Sequence, residues 1–208
     1  MSIGALRWVG WNLFLAAIPV ILGYATAWGL SKQGKGHRLP LLICIPLAIA
    51  WIFFLPNSCY LLTEWRHLLF DERWKDLLES GHTDRGAMLS TAKWALLFLA
   101  YSGTGVLMFV LAVRPMERWL RSTGQKSFLF APLFFFVVSL GVYIGLIVRL
   151  NTWDVIHRPV RVWDAVGDGL FVPGHVVPIA AFALILWGTY EAVDLWIDGV
   201  AARLAKKV

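Results

Sequence analysis

Five long apolar blocks, at 8–30, 39–55, 93–113, 128–148 and 171–190, constrain this chain more than any other feature. A helix needs roughly 20 apolar residues to cross the hydrocarbon core of a bilayer. Each block is close to that length. The shortest, 39–55, either thins the bilayer or continues past Pro56. Inside lipid the backbone must bond to itself, which leaves helices or closed barrels. These blocks are continuous rather than alternating, so they read as helices. The expectation is an all-α, polytopic membrane protein of about five transmembrane helices, one domain over 1–208, with the lipid bilayer as its surroundings. Composition agrees: 59% of residues are hydrophobic and 15% charged, against about 25% charged in soluble domains.

Charge then sets an orientation. The sequence pI is about 9.6, but the basic residues sit between apolar blocks rather than in a nucleic-acid-binding patch, so no nucleic-acid partner is expected. Lys32, Lys35 and Arg38 fall in one connection, and Arg114, Arg118, Arg121 and Lys126 in the segment 114–127. Arg203, Lys206 and Lys207 fall in the tail. With five spans these three segments share one side, which the positive-inside rule makes cytoplasmic. The chain is thus expected in a cell (inner or plasma) membrane, with its N-terminus outside and its C-terminus in the cytoplasm. A rival reading takes Arg7, the first apolar run and `ATA` at 25–27 as a secretory signal with its cleavage site. The run is long for that role, and cleavage would put the basic loop outside.

On this topology three polar stretches meet the same outer face: `WN` at 11–12, `PNSCYLLTEWRH` at 56–67 and `RLNTWDVIH` at 149–157. In 61–69 the residues Leu61, Leu62, Trp65, Leu68 and Leu69 recur at helical spacing. Thr63, Glu64 and His67 are left on another face. That pattern predicts an outer-face amphipathic helix, or a kinked extension of the second span.

The same stretches carry a family resemblance. `WNLFLAAIP`, `PNSCYLLTEWRHL` and `YIGLIVRLNTWD` resemble the signature segments of DUF1361, a family of predicted bacterial and archaeal membrane proteins. The family pattern has Trp-Asn-Leu near the start, then Pro-Asn-x-x-Tyr with Thr-Asp-x-x-His-Leu, and later Arg-x-Asn-Ser-Trp-Asp. The resemblance implies a membrane fold and marks Asn12, Pro56, Asn57, Tyr60, Thr63, His67, Arg149, Asn151, Trp153 and Asp154 as candidate residues. Glu64 stands for the family's Asp, Thr152 for its Ser, and Leu146 for an expected Arg. The family name implies no activity and no cofactor.

Chemistry is therefore argued from side chains. Glu64 and His67 are spaced i, i+3, as are Asp154 and His157. Two acid–His pairs on helices can offer four ligands to one metal. The plainer reading is a hydrogen-bonded network that ties helix ends together, with Arg149 paired to Asp154 or Glu64. Glu64 with His67 as an acid–base pair is a third. The expected function is a structural or recognition site, belonging to a binding or assembly subunit. A membrane-surface enzyme on a lipid-linked substrate is the alternative. A transporter fits less well, since the spans hold few charges and no repeat marks a midplane site. Gly141 and Gly145 form a GxxxG that packs within the monomer or forms a homodimer face toward another membrane protein. Cys44 and Cys59, if on one helix, lie about 22 Å apart and are too far for a disulfide.

Overall fold

The structure, a computed structural model, describes residues 3–32, 41–63, 79–80, 84–125, 127–151 and 153–206. The elements are α1 (Ile3–Ser31), α2 (Leu41–Thr63), α3 (Arg85–Ser122), α4 (Ser127–Leu146), α5 (Asp154–His157), α6 (Pro159–Phe171) and α7 (Pro173–Ala205). Among the described residues the protein is all-helical, as the apolar blocks predict. Four helices (α1, α2, α3 and α7) are long and apolar enough to cross a membrane, and α4 contributes a shorter apolar stretch, Phe130–Leu146. This is a multi-pass membrane protein.

Contacts give the helix directions. Gly29 of α1 lies against Cys44 of α2, and Gly23 against Trp51, so α1 and α2 are antiparallel. Trp51 reaches Ala112 of α3 while Leu61 reaches Gly105, so α2 and α3 are antiparallel too. Pro56 and Tyr60 of α2 meet Gly141 and Gly145 of α4 in the same order, so those two run parallel. Ser139 donates to the carbonyl of Ile179, and Phe135 stacks on Trp187, which makes α4 and α7 antiparallel. The bundle therefore has two ends. The Tyr60 end holds the finish of α2 and α4 and the start of α3 and α7. The Arg114 end holds the finish of α3 and α7.

Helix α2 takes the second alternative left open for the short block 39–55 and runs on through Pro56 to Thr63. Proline removes one ladder bond, yet membrane helices tolerate it where neighbours and hydroxyl side chains compensate. Here the Pro56 ring packs on Gly141, an approach that a side chain at 141 would block. The segment 114–127, expected as a basic connection, is helical as far as Ser122. At its other end α3 begins at Arg85, where Asp84 caps it by accepting from the N–H groups of Gly86 and Ala87 at 3.1 and 3.0 Å. The run `GHTDRG` at 81–86 reads in the sequence as a turn and N-cap before the third span, and Asp84 supplies that cap.

The expected amphipathic helix at 61–69 falls largely outside the described residues. An amphipathic helix does occur at α6. Its 13 residues are too short to span, at 1.5 Å each. Ala165 and Gly169 are buried where α6 packs on α4 and α7. Val160, Trp163, Leu170 and Phe171 are exposed on it, which suits a helix lying at a membrane interface. The buried core gathers Trp51, Leu55, Phe109, Phe135, Leu186 and Tyr190 from α2, α3, α4 and α7. Cys44 and Cys59 are buried free thiols.

Candidate functional site

At the Tyr60 end, packing of α2 against α4 brings two distant sequence stretches together. The Tyr60 hydroxyl lies so close to Gly145 that any side chain there would collide with it. A Cβ on Gly141 would sit 2.7 Å from Pro56 Cγ. Both glycines of the GxxxG are thus used inside the monomer. Just beyond them a crevice of about 210 Å³ is lined by Pro56, Tyr60, Leu150, Asn151, Val155 and Val162, among others. Members of the 56–63 and 149–154 segments therefore share one surface.

The other candidates fall into separate roles. Thr63 Oγ1 donates to the Tyr60 carbonyl at 2.9 Å, closing the end of α2. Asp154 is buried, and its Oδ2 accepts the Asn151 N–H at 2.7 Å. This bond folds the chain between α4 and α5 into a tight turn. Among the described residues the cation nearest the Asp154 carboxylate is Arg158, at 3.9 Å, not Arg149. Arg149 is exposed and has φ 60°, the one non-glycine residue with positive φ among those described. Trp153 and His157 are exposed, and Asn12 and Asn57 are half-buried on α1 and α2. Glu64 and His67 lie outside the described residues. Of the four candidate metal ligands, the described ones, Asp154 and His157, lie on α5. Among the described residues no three His, Cys, Asp or Glu side chains converge as a metal site would need.

His175 sits in the first turn of α7. Its Nδ1 is 3.1 Å from the Tyr143 hydroxyl, which links α7 to α4.

The Arg114 end holds a polar network that the sequence reading missed. Arg114 is buried, and its Nε lies 3.0 Å from Asp194 Oδ1, with both side chains 9% exposed. Asp198 also bonds Arg114 and takes Arg118 at 2.5 Å. Glu117 is bonded by Arg121 and by the Tyr190 hydroxyl at 3.2 Å. A signal was present: Arg114 and Arg118 repeat at i, i+4, as do Asp194 and Asp198. Two such rows on neighbouring parallel helices can interlock. Beside this network is a second cavity, of about 460 Å³, between α2, α3, α4 and α7.

Comparison with known proteins gives one match. The family described as "Protein of unknown function (DUF1361)" covers residues 11–188. The chain belongs to that family. No curated protein and no solved structure matches it.

Proposed function

We propose that this member of the DUF1361 family is a non-catalytic membrane subunit, which binds or assembles with a partner through its Tyr60 end. The observation that carries the reading is how the signature side chains are used. Pro56, Tyr60 and Thr63 serve packing and the end of α2. Asp154 serves the turn after α4. Of the two described charged members, Arg149 is exposed where Asp154 is buried; Arg149 has no ion pair among the described residues, and it holds a left-handed backbone. That conformation costs a non-glycine residue about 1–2 kcal/mol. Strain kept at an exposed cation marks a candidate contact residue. A guanidinium suits a carboxylate on a membrane-protein partner or on a second copy of this chain.

The same reading sets the Tyr60 end outside the cell and the C-terminus in the cytoplasm of an inner or plasma membrane. Its support is charge along the sequence: segments 31–38 and 114–127 hold Lys32, Lys35, Arg38, Arg114, Arg118, Arg121 and Lys126 against one acid, Glu117, whereas 56–92 and 149–170 carry at least as many acids as bases.

The test compares Asp154→Ala with Arg149→Gln in mild detergent. Asp154→Ala is expected to cost about 1–3 kcal/mol, the range for a lost bond to a charged group. Arg149→Gln should leave thermal stability unchanged but reduce the purified particle from a complex to a lone copy, read by light scattering. A wild-type protein that runs as a lone copy, or an Arg149→Gln complex that stays intact, would overturn the reading. An Asp154→Ala protein as stable as wild type would point instead to a strained active site.

A further inference from the structure

We infer that the slot at the Arg114 end binds a membrane phospholipid with a primary ammonium headgroup. This site is separate from the Tyr60 end, and the inference does not rest on the function proposed for that end. The slot measures about 460 Å³, within the roughly 300–1,000 Å³ of small-molecule sites. Its contents grade along the bundle axis. The deep part is formed by Trp51, Val113 and Phe135, all buried. Towards the helix ends the lining changes to Glu117, Arg121 and Glu191. An apolar shaft with a charged mouth matches an amphiphile lying parallel to the helices.

An aromatic row forms the wall. Trp51 stacks on Phe134 at 5.6 Å between ring centroids. Phe135 continues the row to Trp187 and Tyr190 at 6.4 and 5.7 Å. The carboxylates at the mouth supply the headgroup recognition. Both Glu117 oxygens are engaged, one by Arg121 and one by Tyr190. Glu191 differs. One oxygen accepts the Trp187 indole N–H at 3.1 Å, and no cation pairs with it among the described residues. A carboxylate held at the mouth by an indole N–H, with an oxygen to spare, calls for a positive group.

Three points select the ligand. The flank of the slot is apolar and exposed at Phe130 and Leu133, so an acyl chain can enter sideways from the bilayer. The acceptor oxygens of Glu191 favour an ammonium that donates hydrogen bonds, which a quaternary headgroup cannot do. The Arg121 guanidinium at the same mouth complements the phosphate of a zwitterionic lipid.

The experiment uses the full chain, delipidated in detergent, with phosphatidylethanolamine, phosphatidylcholine and phosphatidylglycerol added in turn. Thermal unfolding midpoints and native mass spectra are recorded for each lipid. Phosphatidylethanolamine should bind at least about tenfold more tightly than the other two, the scale of one charge-assisted hydrogen bond. Glu191→Gln keeps an acceptor for Trp187 and should erase that preference without lowering stability in the absence of lipid. Ala131→Leu, which narrows the slot, should weaken all three lipids together. Equal binding of the ethanolamine and glycerol lipids would overturn the inference. So would no retained lipid, or a preference that survives Glu191→Gln.

Discussion

Replacing Arg114 by leucine tests the buried network most directly. The Arg114 and Asp194 side chains are each 9% exposed, and their charged atoms are 3.0 Å apart. Leucine fills part of the arginine's space but leaves Asp194 as a buried carboxylate without its cation. Removing one partner of a buried pair costs about 3–5 kcal/mol, mostly the penalty on the stranded charge. Asp198 adds little to this figure. It is half-exposed and keeps Arg118, and an exposed pair is worth about 0–1 kcal/mol. For a chain of this size each kcal/mol moves the melting point by about 2–4 °C. Arg114→Leu should therefore melt roughly 6–20 °C below wild type. Asp194→Leu should fall by less, since Arg114 keeps the half-exposed Asp198 as a partner. The double variant should recover most of the loss, because two well-packed apolar residues can replace a buried pair at little cost. The assay is size-exclusion chromatography with fluorescence detection after heating in mild detergent. Losses that simply add in the double variant, or an Arg114→Leu protein within a degree or two of wild type, would refute the reasoning.

At the Tyr60 end, Gly145→Ala should destabilise by about 1–3 kcal/mol through overpacking against the Tyr60 hydroxyl. The same change in a Tyr60→Phe background should cost clearly less, and equal costs in the two backgrounds would remove Tyr60 as the obstacle. Orientation is read by labelling single cysteines in intact cells with a membrane-impermeant maleimide. Glu79→Cys should react from outside and Gln125→Cys only after lysis, while the buried Cys44 and Cys59 stay silent. The reverse pattern would invert the topology.

The apolar blocks and the alternation they impose were legible in the sequence because hydrophobicity and span length are local properties. A block of about 20 apolar residues has few other destinations. The cap at Asp84 was legible for the same reason, since a cap is made within three residues of chain. The family segments were legible as segments, and alternation of spans alone brought 56–63 and 149–154 to one end. What those residues do there depended on packing. Pro56 leaves the second span either short or continued until Gly141 opens room for its ring. Arg149 reads as the partner of Asp154 until the turn after α4 gives that carboxylate to the Asn151 N–H and to Arg158. Arg114 reads as the start of a basic loop until α7 sets Asp194 beside it, eighty residues along the chain. The charge on a side chain is a property of the sequence. Its burial and its partner arise only when separate helices meet, and the tertiary structure alone decides them.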